Sequence, residues 1–216
     1  AYPEVTARFS IIKNADCSPF TVAFNNTTDN GYFYVWNFKD GTNSNLMSPS
    51  HRFVNVTEND KIFDVHLKSI SAYDCVDDTI IPVTVYATPV ANFSINPPLK
   101  IFPDATFNFH NQSNPAANGW NYLWTFGDGY TSALKEAGDH TYTTWGLKAN
   151  DYIYNASLIV SAPNCADTTN NVLRLLPAEP KPFFTADIYE SCSPLEAHFI
   201  NASQYGRICP VRSPEG

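Results

Sequence analysis

Large apolar residues recur at every second position in several short stretches, which is the period of a β-strand with one buried face. Two stretches are strongly aromatic: Tyr32, Tyr34, Trp36 and Phe38, and then Trp120, Tyr122, Trp124 and Phe126. Shorter alternating runs predict further strands within residues 63–67, 81–85 and 154–160. Segments rich in Pro, Gly and Asn separate the runs at roughly ten-residue spacing. This pattern predicts an all-β chain built from antiparallel sandwiches of immunoglobulin-like type.

The pattern repeats along the chain. Residues 34–41 return as residues 122–129, and Trp36 and Trp124 give an offset of 124 − 36 = 88. Flanking blocks return in the same order, and a third copy begins near residue 184. We therefore predict one unit over residues 1–88, a second over 89–180, and the incomplete start of a third over 181–216.

Units of this length differ from solenoid repeats, which run about 20–45 residues and do not fold alone. Each predicted unit is long enough to bury its own core, although it is small for a domain. The links at 87–89 and 177–180 are short and contain Pro, which restricts the backbone. We expect an extended, semi-rigid array.

Composition narrows the functional classes. Lys and Arg number 13 against 21 Asp and Glu, so the formal charge is −8, and 44% of residues are hydrophobic. An acidic chain without a basic stripe is not expected to bind nucleic acid. No apolar run approaches the ~18 residues of a membrane span, so no membrane insertion is predicted for this segment.

The repeated aromatic strand and its turn resemble the PKD domain, the immunoglobulin-like module named from polycystic kidney disease protein. The family signature is Trp-Asp-Phe-Gly-Asp-Gly followed by His-x-Tyr. The matching residues are Trp36, Phe38, Asp40 and Gly41, with His51, in unit one, and Trp124, Phe126, Asp128 and Gly129, with His140 and Tyr142, in unit two. The resemblance implies tandem PKD-type sandwiches, and it is strongest to arrays on large surface proteins of Bacteroidota. This chain departs from the signature at Asn37, Thr125 and Lys39.

The signature residues are interpreted as structural. Trp and Phe fill the space between sheets, and the Gly-containing turn is held by its Asp. The alternative is a calcium site on Asp40 or Asp128. Calcium takes six to eight oxygen ligands, and one Asp per turn supplies few of them. We predict no cofactor.

No nucleophile elbow, phosphate loop or His-Glu-x-x-His motif is present. His51 and His140 occupy equivalent repeat positions, which favours a scaffold role. The acidic residues do not repeat as a pair. The chain is therefore predicted to be non-enzymatic.

The five cysteines include no Cys-x-x-Cys pair, which argues against zinc and leaves disulfides or free thiols. Cys17 and Cys75 are expected at opposite poles of unit one, about 20 Å apart, whereas a disulfide needs Cα atoms within ~7 Å. Unit two keeps Cys165 but has no counterpart of Cys17. We favour a Cys17–Cys165 bridge between units, and Cys17–Cys75 is the alternative if the first strand is kinked. Under the favoured pairing, Cys75 and Cys192 would pair with neighbouring units.

Candidate modification and ligand sites remain. The sequon residues Asn26, Asn111 and Asn201 are equivalent in the three copies, and either bond the following turn or carry glycans. Thr79 and Thr168 stand in segments that resemble the O-glycosylation pattern of Bacteroidota. Trp145 lies in a predicted loop, where it would stack on a sugar ring or cover its own sandwich.

Together these features predict a secreted or cell-surface segment of a multi-domain or filament-forming protein. Its predicted role is non-catalytic: a spacer or interaction segment that mediates adhesion or protein–protein contact. The expected partners are neighbouring PKD-like domains or copies of the same chain. The alternative function is a carbohydrate-binding accessory module of a secreted hydrolase, with Trp145 and Tyr130 contacting surface glycans. The incomplete third unit is either a fragment of a longer array or is completed by another chain.

Overall fold

The computed structural model describes residues 3–143, 152–177, 182–187 and 198–203. Strands make up its regular structure, and none of the described residues forms a helix that could cross a membrane. The strands of unit one are β1 (Phe9–Ser10), β2 (Ala15–Cys17), β3 (Phe20–Ala23), β4 (Asn25–Asn26), β5 (Phe33–Asn37), β6 (Asn43–Ser44), β7 (Ser50–Phe53), β8 (Lys61–Ile70) and β9 (Val76–Tyr86).

Unit two repeats this order with β10 (Phe93–Asn96), β11 (Leu99–Ile101), β12 (Thr106–Asn111), β13 (Asn121–Thr125), β14 (Thr131–Ser132), β15 (Gly138–Thr141), β16 (Tyr152–Ser161) and β17 (Ala166–Leu176). Beyond it, β18 (Phe184–Ala186) pairs with β19 (Phe199–Asn201). The all-β, immunoglobulin-like fold predicted from the sequence is confirmed.

The two units have corresponding sheets. The larger sheet has the order β2-β9-β8-β5-β6 in unit one and β11-β17-β16-β13-β14 in unit two. The smaller layer is β1-β4 with β3-β7 in unit one and β10-β12-β15 in unit two. Pairing is antiparallel except that β2 runs parallel to β9 and β11 runs parallel to β17. These two parallel pairs arise because the first strand of each unit leaves its sheet and crosses to the opposite one.

Each unit has its own aromatic core. Trp36 and Trp124 are fully buried, and each indole N–H donates a 2.9 Å hydrogen bond to a carbonyl oxygen, of Leu46 and Leu134 respectively. Phe9 and Phe93 meet these indoles edge-on at 5.0 and 5.2 Å between ring centroids. The two tryptophans thus occupy corresponding environments.

One aromatic residue departs from the predicted pattern. Trp120 is 7% exposed, but its counterpart Tyr32 is 78% exposed. Both residues directly precede their strands, β5 and β13, but Trp120 belongs to the core of unit two together with Ala117, whereas Tyr32 is not part of the core of unit one. The prediction that Tyr32 shares the buried face of Trp36 was wrong.

The turn after each aromatic strand requires a left-handed backbone. Gly127 has φ of +83°, and Lys39 holds the equivalent position with φ of +61°. A Cβ on Gly127 would lie 2.7 Å from the carbonyl oxygen of Asn155, whereas a Cβ on Gly129 (φ +98°) would meet no heavy atom within 4 Å. Glycine at 127 therefore meets both a conformational and a steric demand.

We expect Gly127→Ala to destabilise unit two more than Gly129→Ala. Both variants pay about 1–2 kcal/mol for a left-handed non-glycine residue, but only the first also forces β16 to move. Since about 1 kcal/mol shifts Tm by roughly 4–8 °C in a domain of this size, differential scanning calorimetry resolves the difference. Equal losses in the two variants would show that the contact with Asn155 is unimportant.

Candidate functional site: the junction between the units

A disulfide joins the two units. Cys17 ends β2, Cys165 immediately precedes β17, and their Cα atoms lie 5.9 Å apart across a sequence separation of 148 residues. The bond links the C-terminal pole of unit one (residues 15–18, 54–60 and 86–88) to the N-terminal pole of unit two (residues 117–120 and 162–165). Cys75 has a free thiol, so the alternative Cys17–Cys75 pairing is not the one formed.

Asp60 connects the two poles without a covalent bond. One of its carboxylate oxygens accepts the backbone N–H of Ala87 at 2.8 Å, and the other accepts the side-chain amide of Asn164 at 3.3 Å. Ala87 belongs to the buried core of unit two, although it directly follows β9 of unit one. The carboxylate therefore holds both the linker and the turn that carries Cys165.

The linker is also tied to the segment around Cys17. The backbone N–H of Ser18 donates to the hydroxyl of Thr88 at 2.8 Å, and the Sγ of Cys17 lies 3.7 Å from the carbonyl oxygen of Asn164. A polar groove remains beside these contacts, lined by Glu58, Asn59, Asp60, Ala117, Asn118, Gly119, Trp120 and Pro163. Within the described ranges no three His, Cys, Asp or Glu residues come together as metal ligands.

A second repeated arrangement, here called the Asp–His clasp, consists of Asp40 with His51 and of Asp128 with His140. The Nε2–Oδ2 distances are 2.6 and 2.8 Å. Each imidazole also stacks on the signature phenylalanine, at 4.0 Å from Phe38 and 3.9 Å from Phe126 between ring centroids. The clasp thereby attaches the glycine-containing turn to the opposite layer.

The second oxygen of each clasp carboxylate is used within its own turn. Asp40 Oδ1 accepts the backbone N–H of Thr42 at 3.0 Å, and Asp128 Oδ1 accepts that of Tyr130 at 3.1 Å. Burial disfavours the charged form of Asp40, but hydrogen bonds from Thr42 and His51 outweigh it, so the pKa of Asp40 is lowered. Both carboxylate oxygens of Asp40 and of Asp128, the residues of the alternative calcium site, are engaged with protein groups.

Tyr142 completes the clasp in unit two. Its hydroxyl donates to the carbonyl oxygen of Phe126 at 2.8 Å, and burial raises the pKa of this phenol well above its ordinary value. Unit one has Phe53 at this position, two residues after His51, and packs it in the core without that hydrogen bond.

The sequon asparagines act as turn residues. The Oδ1 atoms of Asn26, Asn111 and Asn201 accept the backbone N–H two residues later, at 3.0, 2.9 and 2.9 Å. Asn26 and Asn111 are buried, and the Asn111 amide donates to the carbonyl oxygen of Lys135, which opposes glycan attachment at these two positions. Asn201 is exposed.

The remaining predicted sites are less constrained. Thr79 is half-buried on β9 and Thr168 is exposed on β17, and their glycosylation stays a prediction. Tyr130 is exposed beside the clasp turn. Trp145, Cys192 and Cys209 lie outside the described residues.

Sequence reasoning missed two features of these sites. The partnership of Asp40 with His51 was detectable, because an Asp followed 11 or 12 residues later by a His recurs in both units. The sequence also indicated that Asp60 is important, because the pair Asn59-Asp60 is repeated as Asn150-Asp151 directly before the corresponding strand of unit two. Neither sequence pattern tells which atom the side chain bonds. A side chain that bridges two strands or turns is recognised only when the positions of both are known.

We expect Asp40→Asn to lower the free energy of unfolding at pH 7 by about 1 kcal/mol, through loss of a charged hydrogen-bond acceptor. A lowered folded pKa stabilises the protein above the pKa of an ordinary Asp, about 4, and this contribution disappears as the pH falls through the folded value. Urea denaturation at several pH values should therefore show the gap between wild type and variant closing in acid.

The matched control is Asp64→Asn, an exposed carboxylate on β8. It should change stability by less than about 0.5 kcal/mol, as surface substitutions usually do. If the difference in unfolding free energy between wild type and Asp40→Asn stayed constant as the pH was lowered, the clasp would stabilise the fold through packing and not through the charge of Asp40.

Part of the chain is similar to known proteins. Residues 86–174 match the family model described as PKD domain. No curated protein matches the chain. Similar solved structures include the PKD1 domain of Vibrio anguillarum Epp, with 19% identity, TM-score 0.33, and coverage of 39% of this chain and 96% of that one.

Two longer structural matches are murine CEACAM1b and the fibronectin(III)-like modules of Clostridium thermocellum CbhA. The first is 12% identical with a TM-score of 0.34, covering 81% of this chain and 100% of that one. The second is 10% identical with a TM-score of 0.30, covering 81% and 94%. Unit two, which carries the signature strand and one Asp–His clasp, is thus a PKD-type domain over the matched residues 86–174.

Proposed function

We propose that this chain is a non-catalytic spacer and interaction segment of a secreted or cell-surface protein, and that its units are pinned to one another covalently. The observation that carries the proposal is the Cys17–Cys165 disulfide across the junction. Disulfides persist mainly in oxidising, extracellular compartments. PKD and immunoglobulin-like domains are generally extracellular and non-catalytic, which fits the same assignment.

A spacer must transmit position or force along its length. Domains joined by a short linker and a small polar interface normally move relative to each other. Here the disulfide joins Cys17, which lies beside the linker, to the turn of unit two that ends at Cys165, while Asp60 holds the linker at Ala87. Two separate attachments restrict bending more than either one alone.

The titratable groups of the signature also support a scaffold role. Both His51 and His140 are stacked on phenylalanine and bonded to a carboxylate in the same way. Their side chains are only 16% and 14% exposed, which leaves little room for a substrate to reach either imidazole. Because the clasp occurs at the same position in both units, a role in holding the fold together accounts for it.

The spacer proposal is tested by removing the disulfide between the units. In the double variant Cys17→Ser and Cys165→Ser, small-angle X-ray scattering should show a broader distribution of interatomic distances, because the two units reorient about the linker. The control Cys75→Ser removes a thiol that takes no part in the junction, and its profile should equal that of the wild type.

An unchanged profile in the double variant would contradict the proposal that the disulfide sets the junction. A glycan array on the wild-type chain tests the alternative of a carbohydrate-binding module. Strong binding to one class of glycan, lost in Tyr130→Ala or Trp145→Ala, would favour that alternative over the spacer.

A further inference from the structure

The N-terminal pole of unit one, formed by residues 31–33 and 70–76, exposes unusually large apolar side chains. Tyr32, Tyr73 and Val76 are 78%, 55% and 52% exposed, and Phe33 is 46% exposed. A shallow groove opens among them, lined by Tyr32, Phe33, Ile70, Ser71, Ala72 and Asp74. Concentrated apolar exposure of this kind is typical of a contact surface.

This pole has the same construction as the pole of unit two that contacts unit one, although its turn from Ser71 to Cys75 is one residue longer than the turn from Ala162 to Cys165. The carbonyl oxygens of Cys75 and Cys165 each accept the N–H that opens their turn, from Ser71 and Ala162, at 2.8 Å in both units. Two residues after each cysteine, Asp77 and Asp167 accept the backbone N–H of Ala7 and Ala91. Cys75 therefore occupies the position of Cys165.

The two poles differ in what they contact. In unit two, Cys165 is disulfide-bonded to the neighbouring unit, and Trp120 lines the junction groove. In unit one, the thiol of Cys75 is free and half-buried, and Tyr32, the counterpart of Trp120, is largely exposed. The same construction is thus covered in one unit and uncovered in the other.

We propose that the N-terminal pole of unit one docks onto the C-terminal pole of a further PKD-type unit, and that Cys75 forms a disulfide with a cysteine at the position Cys17 holds in unit one. This inference rests on the proposed spacer function. Two thiols are oxidised to one disulfide, and a disulfide oxidant such as glutathione disulfide takes up the two electrons and two protons to become two thiols.

One further residue narrows the identity of the partner. At the existing junction, Asn164 precedes Cys165 and donates to Asp60 at 3.3 Å. Asp74 precedes Cys75, so a carboxylate facing it would be repelled. The partner unit therefore carries a hydrogen-bond donor, and not an acid, where unit one carries Asp60.

A tandem protein supplies a partner of known sequence. Residues 1–88 are duplicated ahead of residue 5 of the chain, which places the added unit before unit one as unit one stands before unit two. The tandem also carries Asp74→Asn in the original unit, because the added unit presents Asp60. After refolding with reduced and oxidised glutathione, non-reducing peptide mapping identifies the disulfides.

We expect a disulfide between Cys17 of the added unit and Cys75, beside the native Cys17–Cys165 bond. A second tandem with Cys17→Ser in the added unit cannot form the new bond. There, alkylation of Cys75 by iodoacetamide should be several-fold slower than in the Asp74→Asn chain without the added unit, because the docked unit covers the thiol.

Retention of a free Cys75 in the first tandem, or alkylation of Cys75 in the second at the rate of that single chain, would overturn the inference. Either result leaves the Cys17–Cys165 junction as it is. The scattering experiment on that junction fails or succeeds independently, so the two proposals can be told apart.

Discussion

Each unit is organised around one buried indole. Trp36 and Trp124 lie between the two layers, and a hydrogen bond from the indole N–H to a carbonyl oxygen fixes the ring in place. That bond satisfies the one polar group a buried tryptophan brings into a core. Because the carbonyl belongs to Leu46 or Leu134, the bond also holds the segment that follows β6 or β14. The indole thus joins the core to the segment that leads into β7 or β15.

The Asp–His clasp extends this control to the surface. A turn held only by glycine would be free to move, but Asp40 and Asp128 bond both their own turn and a histidine from the opposite layer. Stacking on Phe38 and Phe126 connects the clasp to the core beneath. The histidines thus couple the edge of the sandwich to its interior, which explains why they occur twice at equivalent positions.

Small domains bury a limited core, and a serial arrangement of them is only as stiff as its junctions. The junction here uses three kinds of attachment: a disulfide, a carboxylate that holds the linker, and insertion of Ala87 into the core of unit two. The disulfide and the carboxylate are placed at the ends of strands and in turns, outside both cores. The same placement leaves the opposite pole of unit one with a matching cysteine and an apolar surface.

The sequence by itself determined the fold class, the repeat and the inward face of the main strands, because alternation over Trp120 to Phe126 and over residues 63–67 depends only on a period of two. Burial at the poles was decided by tertiary structure: Tyr32 and Trp120 follow the same alternation, yet only Trp120 lies in a core, which at that pole also includes Ala117. The two parallel strand pairs were also not evident from the sequence. The direction of a strand within a sheet depends on how the first strand of each unit crosses between layers. The partners of Asp40, Asp60 and Asn164 were likewise fixed in space and not in sequence, since a hydrogen bond needs two atoms within about 3 Å, and residue spacing along the chain does not specify that distance.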